Sequence, residues 1–436
     1  MRVLIAGLPQ SPHAIRHANL LVEAGIEVGF ASVLPKHPDA DLDGRVTVFP
    51  HPYAPVVPRG GPFGAIDRAR GVIRQASTRT QLATVRLAPR SLQAGAWFPG
   101  SGNDRADWHR YTNGAIDSGL RDAIASLGVY KDGVSAWLAY TIDEWRPDIV
   151  VSTGLEQAGF VTLAARARCH RPFPRWLPIS LGLDLQFAVQ FPLHRRWIKA
   201  VLRSADALFL ECHRDVPVAR RLGFTRDLIE VQPIGGGWDV DMIRTLRQPG
   251  PTSTRTTIAV KGYAGAIGRG LVAIEGVRRA SDALLAAGMD VALFAAHPDV
   301  ALAANLLAAD TGLRVAVWPR LPYTQLLERL GTCRAIVGMS ASDAIATTAL
   351  EAMLVGAFPI QSNSSCLNEW ITCGRSGLLT PADDPEPLAA AIRRVVNDPA
   401  FVDAAVAEND REALPRLQAA QVNPKIVTLY QRLSES

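Results

Sequence analysis

The stretch from Gly338 to Ile392 constrains the fold of this chain more than any other part of the sequence. An apolar run at Cys333–Val337 predicts a buried strand that leads into a loop rich in Ser and Asp. The loop opens a helix that ends at Gly356, Phe358–Gln361 predicts a short buried strand, and a second helix begins near Pro385. Strands that alternate with helices in this way predict an α/β unit with a parallel sheet.

Two acids in this stretch predict a ligand site. Asp343 is predicted to be the N-cap of the first helix, and Glu351 lies about two turns further in. A helix N-terminus offers unpaired N–H groups and a positive dipole to a phosphate. A carboxylate such as Glu351 can accept hydrogen bonds from sugar hydroxyls. Together they predict a site for a nucleotide sugar. The alternative is a capping aspartate and a solvated helix glutamate without a shared ligand.

The same stretch resembles the C-terminal half of retaining glycosyltransferases of the GT-B fold, the glycosyl transferases group 1 or glycogen-synthase-like family. The shared frame is an acid, seven residues and a glutamate, carried here by Ser340, Ser342, Asp343, Leu350-Glu351-Ala352-Met353, Gly356 and Pro359. The loop that follows is similar at Glu369-Trp370-Ile371 and Gly377-Leu378-Leu379. The chain departs from the family at Asp343, where the family often has Glu, and at Ala344, where Gly often follows.

The resemblance implies an α/β protein with two Rossmann-like, doubly wound domains that face each other across a cleft. The acceptor side is expected in residues 1–240, with a C-terminal helix over 415–436 packing back on it. The nucleotide-sugar side is expected in residues 241–414. The boundary near residue 240 follows Gly235-Gly236-Gly237 and Trp238-Asp239, which resemble the family's domain linker.

The N-terminal residues predict a doubly wound unit without help from the resemblance. Met1–Ala6 and Glu27–Val33 are apolar and predict strands, and Pro12–Ala24 between them has helical periodicity. Ligands of such sheets bind at the carboxyl ends of the strands, which points to Gly7 and His13. A dinucleotide is not expected, because no Gly-x-Gly-x-x-Gly follows the first strand.

Histidines and carboxylates near other predicted strand ends are further candidates. His13 and His17 are four residues apart, a spacing that could hold a metal, but no third ligand is visible and capping or exposed histidines explain them more simply. Family members often have a histidine where this chain has Ser152-Thr153-Gly154. Asp184 and Glu156 are the carboxylates left on that side, and each could orient an acceptor hydroxyl or merely cap a helix.

The longer elements of the N-terminal half and the chain end are also predicted from pattern. Gly119–Trp145 predicts one helix, and Ala205–Glu211 predicts the last strand of the N-terminal domain. Pro415–Leu433 predicts a single final helix, which in this fold commonly crosses back to the first domain.

A glycine-rich loop predicts where phosphate binds. Thr256–Val260 predicts a strand, and the residues from Lys261 to Gly270 then supply glycines and the two cations Lys261 and Arg269. Glycines let backbone N–H groups approach a diphosphate, and the cations offset its charge. The family has these two cations in the opposite order, and a merely flexible loop is the alternative.

Composition and charge narrow the class of protein. The net charge of +5 and the pI of about 9.1 permit anionic ligands, while the absence of a basic run interleaved with aromatics argues against nucleic acid. Five cysteines, odd in number and without C-x-x-C spacing, predict a reduced protein without a disulfide framework or zinc site. Without a predicted signal peptide or membrane span, the expected location is cytoplasmic, or peripheral on the inner face of a membrane.

The arginine-rich stretch from Arg59 to Arg90 predicts peripheral membrane contact. Seven arginines stand there against Asp67 alone, with apolar residues at roughly helical spacing. A basic amphipathic helix of this kind can lie on an anionic bilayer. A solvated helix or a mobile loop is the alternative.

The predicted function is transfer of a sugar, with retention, from a nucleotide sugar to a glycan, a lipid-linked acceptor or a small molecule. The predicted catalytic residues are His13, Asp184 and Asp343. The predicted nucleotide-sugar ligands are Gly7, Lys261, Arg269, Ser342, Asp343 and Glu351. No cofactor or metal is expected, because Asp239-Val240-Asp241 fits an Asp-x-Asp motif but lies in the linker. The alternatives are a sugar-nucleotide epimerase on the same fold and a non-catalytic nucleotide-sugar-binding subunit.

Overall fold

A computed structural model describes residues 1–52, 111, 116–127 and 131–435 of the chain. The basic stretch from Arg59 to Arg90 lies outside the described residues, so the predicted membrane contact has no structural counterpart to compare it with.

The first sheet is parallel and has seven strands in the order β3-β2-β1-β4-β5-β6-β7. All its strand pairs are parallel, and the order reverses between β1 and β4. The strands are β1 (Arg2–Gly7), β2 (Glu27–Ser32), β3 (Thr47–Phe49), β4 (Ile149–Thr153), β5 (Arg175–Ile179), β6 (Leu208–Leu210) and β7 (Ile229–Val231).

The second sheet is also parallel and has six strands in the order β10-β9-β8-β11-β12-β13. Its order reverses between β8 and β11, which pair directly. The strands are β8 (Thr257–Lys261), β9 (Asp290–Phe294), β10 (Val315–Val317), β11 (Cys333–Gly338), β12 (Phe358–Ser362) and β13 (Leu378–Thr380). Two doubly wound parallel sheets confirm the predicted fold class.

Helices connect the strands and cover both sheets. In the first half of the chain they are α1 (Pro12–Glu23), α2 (Ser118–Ser126), α3 (Lys131–Trp145), α4 (Gly159–Arg166), α5 (Leu183–Gln186), α6 (Pro192–Ser204), α7 (Asp215–Leu222) and α8 (Val240–Arg244). In the second half they are α9 (Gly270–Arg279), α10 (Ser281–Ala286), α11 (Pro298–Thr311), α12 (Tyr323–Leu330), α13 (Thr347–Leu354), α14 (Pro385–Asn397), α15 (Pro399–Glu412), α16 (Leu414–Leu417) and α17 (Ala419–Glu435).

Local sequence explains why these elements begin and end where they do. The central strands are apolar and buried on both faces, as parallel strands between two layers of helices must be. Helix α1 starts at Pro12 because Ser11 caps it by accepting a hydrogen bond from the N–H of Ala14. It ends before Gly25, whose φ of +78° favours glycine.

Three predicted elements differ from the structure. The predicted helix Gly119–Trp145 is two helices, α2 and α3. The last strand of the first sheet is β7, which sequence pattern missed because Glu230 interrupts a half-buried strand. The final helix is split into α16 and α17, since the N–H of Trp238 bonds to the carbonyl of Leu417 and the N–H of Ala419 bonds to that of Trp238. These bonds hold the chain between the two helices in an extended bridge.

The last helix packs against the first sheet. Its buried residues share one apolar core with strands β1, β2, β4 and β5: Val422, Ile426, Leu429, Tyr430 and Leu433. His17 lies in this core, where its ring nitrogens bond the carbonyl of Ile234 and the hydroxyl of Tyr430, each at 2.6 Å. Burial lowers the pKa of His17 to about 4, so it is a neutral packing residue. The domain spans 1–240 and 241–414 stay predictions.

Among the described residues, no helix has the length and apolar character needed to cross a membrane.

Candidate active site

Several of the predicted site residues gather where the carboxyl ends of the two sheets approach each other. Lys261 ends β8, the strand beside which the second sheet reverses its order, and His13 starts α1 after β1 of the first sheet. Lys261 contributes to the pKa shifts of His13, Asp343 and Glu351, so these residues share one electrostatic neighbourhood. This is the place in doubly wound folds where ligands bind.

His13 is a neutral imidazole at this place. Burial, together with the positive charges of Arg16 and Lys261, lowers its pKa to about 4. A neutral imidazole can donate one hydrogen bond and accept another, but it cannot serve as a cation for phosphate. The sequence placed His13 here correctly. Its catalytic role stays a prediction.

Glu351 lies on α13 and its residue surface is only 8% exposed. Burial raises the pKa of Glu351, while Lys261, the Tyr323 hydroxyl and Arg16 act in the opposite direction by favouring the carboxylate. Glu351 is therefore no solvated helix residue. It is a buried acid that faces cations from both halves of the chain.

An aromatic and cationic group around Glu351 was missed by sequence pattern. The indole Nε1 of Trp238 donates to the Tyr323 hydroxyl at 2.9 Å. The Arg16 guanidinium lies 4.5 Å from the centre of the Trp238 ring and also donates to the carbonyl of Gly237 at 3.2 Å. The one available signal was that Arg16 follows His13 by three residues, which places both on one face of α1.

Asp343 is not the helix cap that its position predicted. Helix α13 begins at Thr347, and its N-cap residue is Ala346. The residues before it are held in a loop: the carbonyl of Asp343 accepts from Arg214 at 2.8 Å, and that of Ala344 accepts from the Cys366 N–H at 3.0 Å. Burial raises the pKa of Asp343, and Lys261 opposes the rise. The carboxylate therefore lies near a cation, without capping α13.

Ala344, one of the two departures from the family, lies in close contact with a glycine from the first half of the chain. Ala344 is buried and packs against Gly182 of the first sheet. A Cβ on Gly182, which has a φ of +76°, would lie 2.4 Å from the Ala344 backbone nitrogen. Glycine at position 182 therefore leaves room for Ala344.

Ser342 and Thr153 carry buried hydroxyls whose hydrogen-bonding capacity is unused among the described residues. Ser342 precedes Asp343 in the same loop, and Thr153 ends β4 beside Gly7. A Cβ on Gly7 would lie 2.8 Å from the Thr153 Oγ1, so glycine allows this close approach. Unpaired buried hydroxyls are uncommon in folded proteins, and a bound ligand can supply their partner.

The two cations of the glycine-rich loop differ in their surroundings. Lys261 lies near the acids, with its Nζ 4.1 Å from the centre of the Tyr263 ring. Arg269 instead pairs with Asp383 and donates to the carbonyl of Ala266. The loop itself is fixed by the bond from the Ala341 N–H to the Ile267 carbonyl at 2.7 Å, so it is not merely flexible.

Asp184 is tied into the backbone of the first sheet. It is 4% exposed and accepts from the N–H groups of Leu181 at 3.0 Å and Glu156 at 3.3 Å. Burial raises its pKa, and these bonds oppose the rise. The geometry favours the capping alternative for Asp184, and no contact joins it to the Lys261 group in the described residues.

Glu156 has a hydrogen-bonded histidine partner that the sequence did not reveal. His194 of α6 bonds through Nδ1 to the Glu156 carboxylate, and its Nε2 lies 3.0 Å from the Ser126 hydroxyl. Burial and the Asp184 charge raise the pKa of Glu156 to about 7, while His194 acts in the opposite direction. His194 was missed because it lies on another helix, far from Glu156 in sequence.

The prediction that the cysteines form no disulfide was wrong. Cys212 follows β6, Cys366 follows β12, and the two are joined by a disulfide bond across 154 residues of sequence. Spacing along the chain gives no hint of this pair, because only the approach of the two sheets brings the residues together. Cys169, Cys333 and Cys373 are free.

Residues 302–413, which include Asp343, Glu351 and the surrounding loop, match the model of the family described as glycosyl transferases group 1. Over these residues the chain is similar to the glycosyl transferases group 1 family. No curated protein matches the chain. The matched residues include the whole frame from Ser340 to Leu379.

The similarity to solved structures extends over both sheets. Sucrose-phosphate synthase from Thermosynechococcus elongatus matches with a TM-score of 0.65 and 16% identity over 99% of each chain. HepE from Anabaena, in complex with UDP and glucose, matches with a TM-score of 0.62 and 13% identity over 99% of each chain. TarM from S. aureus matches with a TM-score of 0.63 and 9% identity over 100% of each chain. At these identities the similarity shows the fold, which is GT-B as predicted.

Proposed function

We propose that this chain is a retaining glycosyltransferase that moves a sugar from a nucleotide-sugar donor to an acceptor. One observation carries the proposal: the buried Glu351 and the half-buried Lys261 and Asp343 share one electrostatic neighbourhood at the carboxyl edge of the second sheet. Lys261 also acts on His13, which follows the first strand of the first sheet. A cation and two acids match a diphosphate that joins a sugar to a ribose.

Each group takes a part of the donor in this proposal. Lys261 offsets the diphosphate charge, and the glycine-rich loop brings backbone N–H groups to it. Glu351 accepts from the ribose hydroxyls, and Asp343, with Ser342 beside it, contacts the transferred sugar. Arg269 has a smaller part than the sequence indicated, since Asp383 already neutralises it. The complexes of HepE with UDP, UDP-glucose and glucose support a uridine donor as the first one to test.

The chemical step that fits this arrangement is a front-face displacement. The bond between the sugar C1 and the diphosphate oxygen breaks, a bond from C1 to the acceptor oxygen forms on the same face, and the acceptor proton passes to the departing diphosphate. Neutral His13 can hydrogen-bond the acceptor or the sugar without competing with Lys261 for the phosphate charge. Lys261 stabilises the negative charge that develops on the leaving group.

The reaction assay is transfer and hydrolysis with a panel of UDP-, GDP- and ADP-sugars, followed by NMR of the product anomer. Transfer with the donor's anomeric configuration kept is the expected result. Epimerised donor would identify an epimerase, and donor binding without turnover would identify a non-catalytic subunit. Only an inverted product would contradict retention while leaving the glycosyltransferase in place.

Metal independence is part of the proposal, because Lys261 is placed to carry the charge role that a metal would have. Activity is expected to survive excess chelator. Asp239 caps α8 by accepting from the Met242 N–H at 2.9 Å, a structural role that differs from metal binding. Complete loss of activity in chelator, restored by manganese, would contradict metal independence.

The acceptor is proposed to be a glycan, a lipid-linked molecule or a small molecule that approaches from the first sheet. For a lipid-linked acceptor, peripheral contact through Arg59–Arg90 would bring the enzyme to a bilayer. Sedimentation with anionic and neutral vesicles tests this contact. A protein that stays in solution with anionic vesicles at low salt would remove the membrane from the proposal.

A further inference from the structure

The segment after β6 is bound to the loop between β12 and β13 by one covalent bond and several hydrogen bonds. Cys212 is joined to Cys366 by the disulfide. The next two residues offer their backbone N–H groups to the Glu369 carboxylate, His213 at 2.9 Å and Arg214 at 2.8 Å. Both kinds of contact start in the first half of the chain and end on the loop between β12 and β13.

Arg214 carries these contacts to the loop of the candidate site. Its Nη2 donates to the Asp343 carbonyl at 2.8 Å, and its Nη1 donates to the Ser364 carbonyl at 3.0 Å. Its Nε donates to Asp215 at 3.1 Å, and the Asp215 side chain is 1% exposed. The planar guanidinium is thereby fixed on three sides, as arginine permits and lysine does not.

The disulfide reaches the same loop through Cys366. The Cys366 N–H donates to the carbonyl of Ala344 at 3.0 Å, one residue after the carbonyl that Arg214 holds. Cys212 and Cys366 are both fully buried. Two successive carbonyls of the loop are therefore held by residues whose own positions depend on the link between the sheets.

We propose that Cys212–Asp215 form a clamp that positions the Asp343 loop, with Arg214 as its positioning residue and the Cys212–Cys366 disulfide as its covalent, reducible part. Neither Arg214 nor the cysteines need touch substrate. The clamp fixes the loop before a ligand arrives, and preorganised groups are what a charged transition state requires. This inference goes beyond the proposed function, and only its kinetic consequence rests on that function.

Reduction of the clamp is a balanced exchange with a dithiol. One thiolate of dithiothreitol attacks the Cys212–Cys366 bond, which releases one cysteine thiol and forms a mixed disulfide with the other cysteine. The second thiolate of the reductant attacks that mixed disulfide, so the second cysteine thiol is released and the reductant closes to its cyclic disulfide. After reduction the hydrogen bonds of Arg214 and Glu369 still join the two halves of the chain. Cys366, whose N–H bonds the Ala344 carbonyl, is then no longer held in place by a covalent bond to Cys212. The loop is therefore expected to be ordered least when both the bond and the Arg214 contacts are removed.

Hydrogen exchange of the loop amides tests the clamp without any assay of activity. The proteins are the oxidised wild type, the reduced wild type, Cys212→Ser, Arg214→Gln and a Cys212→Ser/Arg214→Gln double variant. Exchange over residues 340–346 should be at least about threefold faster in each single change and faster still in the double variant. Controls are Cys373→Ser, an exposed free cysteine, and Arg221→Gln, an exposed arginine on α7. Both controls should match the wild type.

Three further readouts keep the proposal open to contradiction if a variant fails to fold. Unreduced, denatured wild type should show three reactive thiols of its five cysteines. Glu369→Gln, which weakens the clamp from the other side, should speed exchange as Arg214→Gln does. Kinetically, Arg214→Gln should lower kcat of donor hydrolysis about tenfold and change KM less than twofold, as expected for a group that acts through another.

Five reactive thiols in the unreduced protein, or unchanged loop exchange in Arg214→Gln, Glu369→Gln and the reduced wild type, would overturn the clamp. A protein that shows the exchange changes but turns over no donor would keep the clamp and remove the proposed function. The two failures are therefore distinguishable.

Discussion

The two sheet edges that meet at the candidate active site are built by different means. On the second sheet, Lys261, Asp343 and Glu351 lie close to one another, and each acid is offset by a cation rather than by capping contacts alone. On the first sheet, Asp184 and Glu156 are occupied by backbone N–H groups and by His194. The charged side chains of the second edge are therefore available to a ligand. The carboxylates of the first edge already accept hydrogen bonds that hold its own loops.

This difference implies that donor binding should depend on single residues of the second edge, while changes at the first edge should affect folding before binding. The following predictions separate these two kinds of effect, from the largest expected change to the smallest.

Lys261→Ala should weaken binding of UDP far more than Arg269→Ala. Lys261 is the cation near both acids, so its loss should cost about 2–3 kcal/mol of UDP affinity, as for a hydrogen bond to a charged group. Arg269 is already paired with Asp383, so its loss should cost less than about 1 kcal/mol of UDP affinity. Calorimetry with UDP and with uridine measures both. Equal losses for the two ligands would mean that Lys261 does not hold phosphate.

Glu351→Gln should weaken the binding of UDP and the binding of uridine by similar amounts, about 1–3 kcal/mol, because both ligands contain the ribose. The matched control is Glu328→Gln, an exposed glutamate on α12, which should change neither affinity. Thermal unfolding of both variants checks that the fold is kept. Unaltered affinity for every nucleotide tested would remove Glu351 from the site.

Asp184→Asn should reduce the free energy of unfolding by about 1–3 kcal/mol, because an amide group replaces an oxygen that accepts backbone N–H bonds. UDP affinity of the folded variant should match the wild type. Asp122→Asn, on the exposed face of α2, is the control and should leave stability within about 0.5 kcal/mol. Wild-type stability together with lost turnover would instead give Asp184 a role in the reaction.

Sequence pattern was sufficient for features that are local in the chain. The strand at Cys333–Val337 and the start of helix α14 near Pro385 were predicted because local sequence signals decide them. Lys261 at the end of β8 and Glu351 on α13 follow from the same reasoning. Most of the second sheet edge could therefore be predicted from sequence, because its residues lie within single strand–loop–helix units.

Features that depend on contacts between residues far apart in sequence could not be predicted from local patterns. Asp343 was expected to cap a helix, but Arg214 and Cys366 bond the carbonyls of Asp343 and Ala344 and hold these residues in a loop before α13. The Cys212–Cys366 bond and the Glu156–His194 pair join residues that share no local motif. Arg269 sits in a glycine-rich loop as predicted, yet Asp383, more than a hundred residues later, takes up its charge. Tertiary contacts, not propensity, decided each of these.

The central claim is that Asp343 acts on the transferred sugar while Lys261 and Glu351 hold the nucleotide. The most direct test is turnover of a UDP-sugar by Asp343→Asn, measured beside its affinity for UDP. The account predicts that kcat falls at least about a hundredfold, the loss expected when a group that stabilises the transition state is removed, while UDP affinity stays within about twofold of the wild type. Turnover equal to the wild type, or a loss confined to UDP affinity, would contradict it.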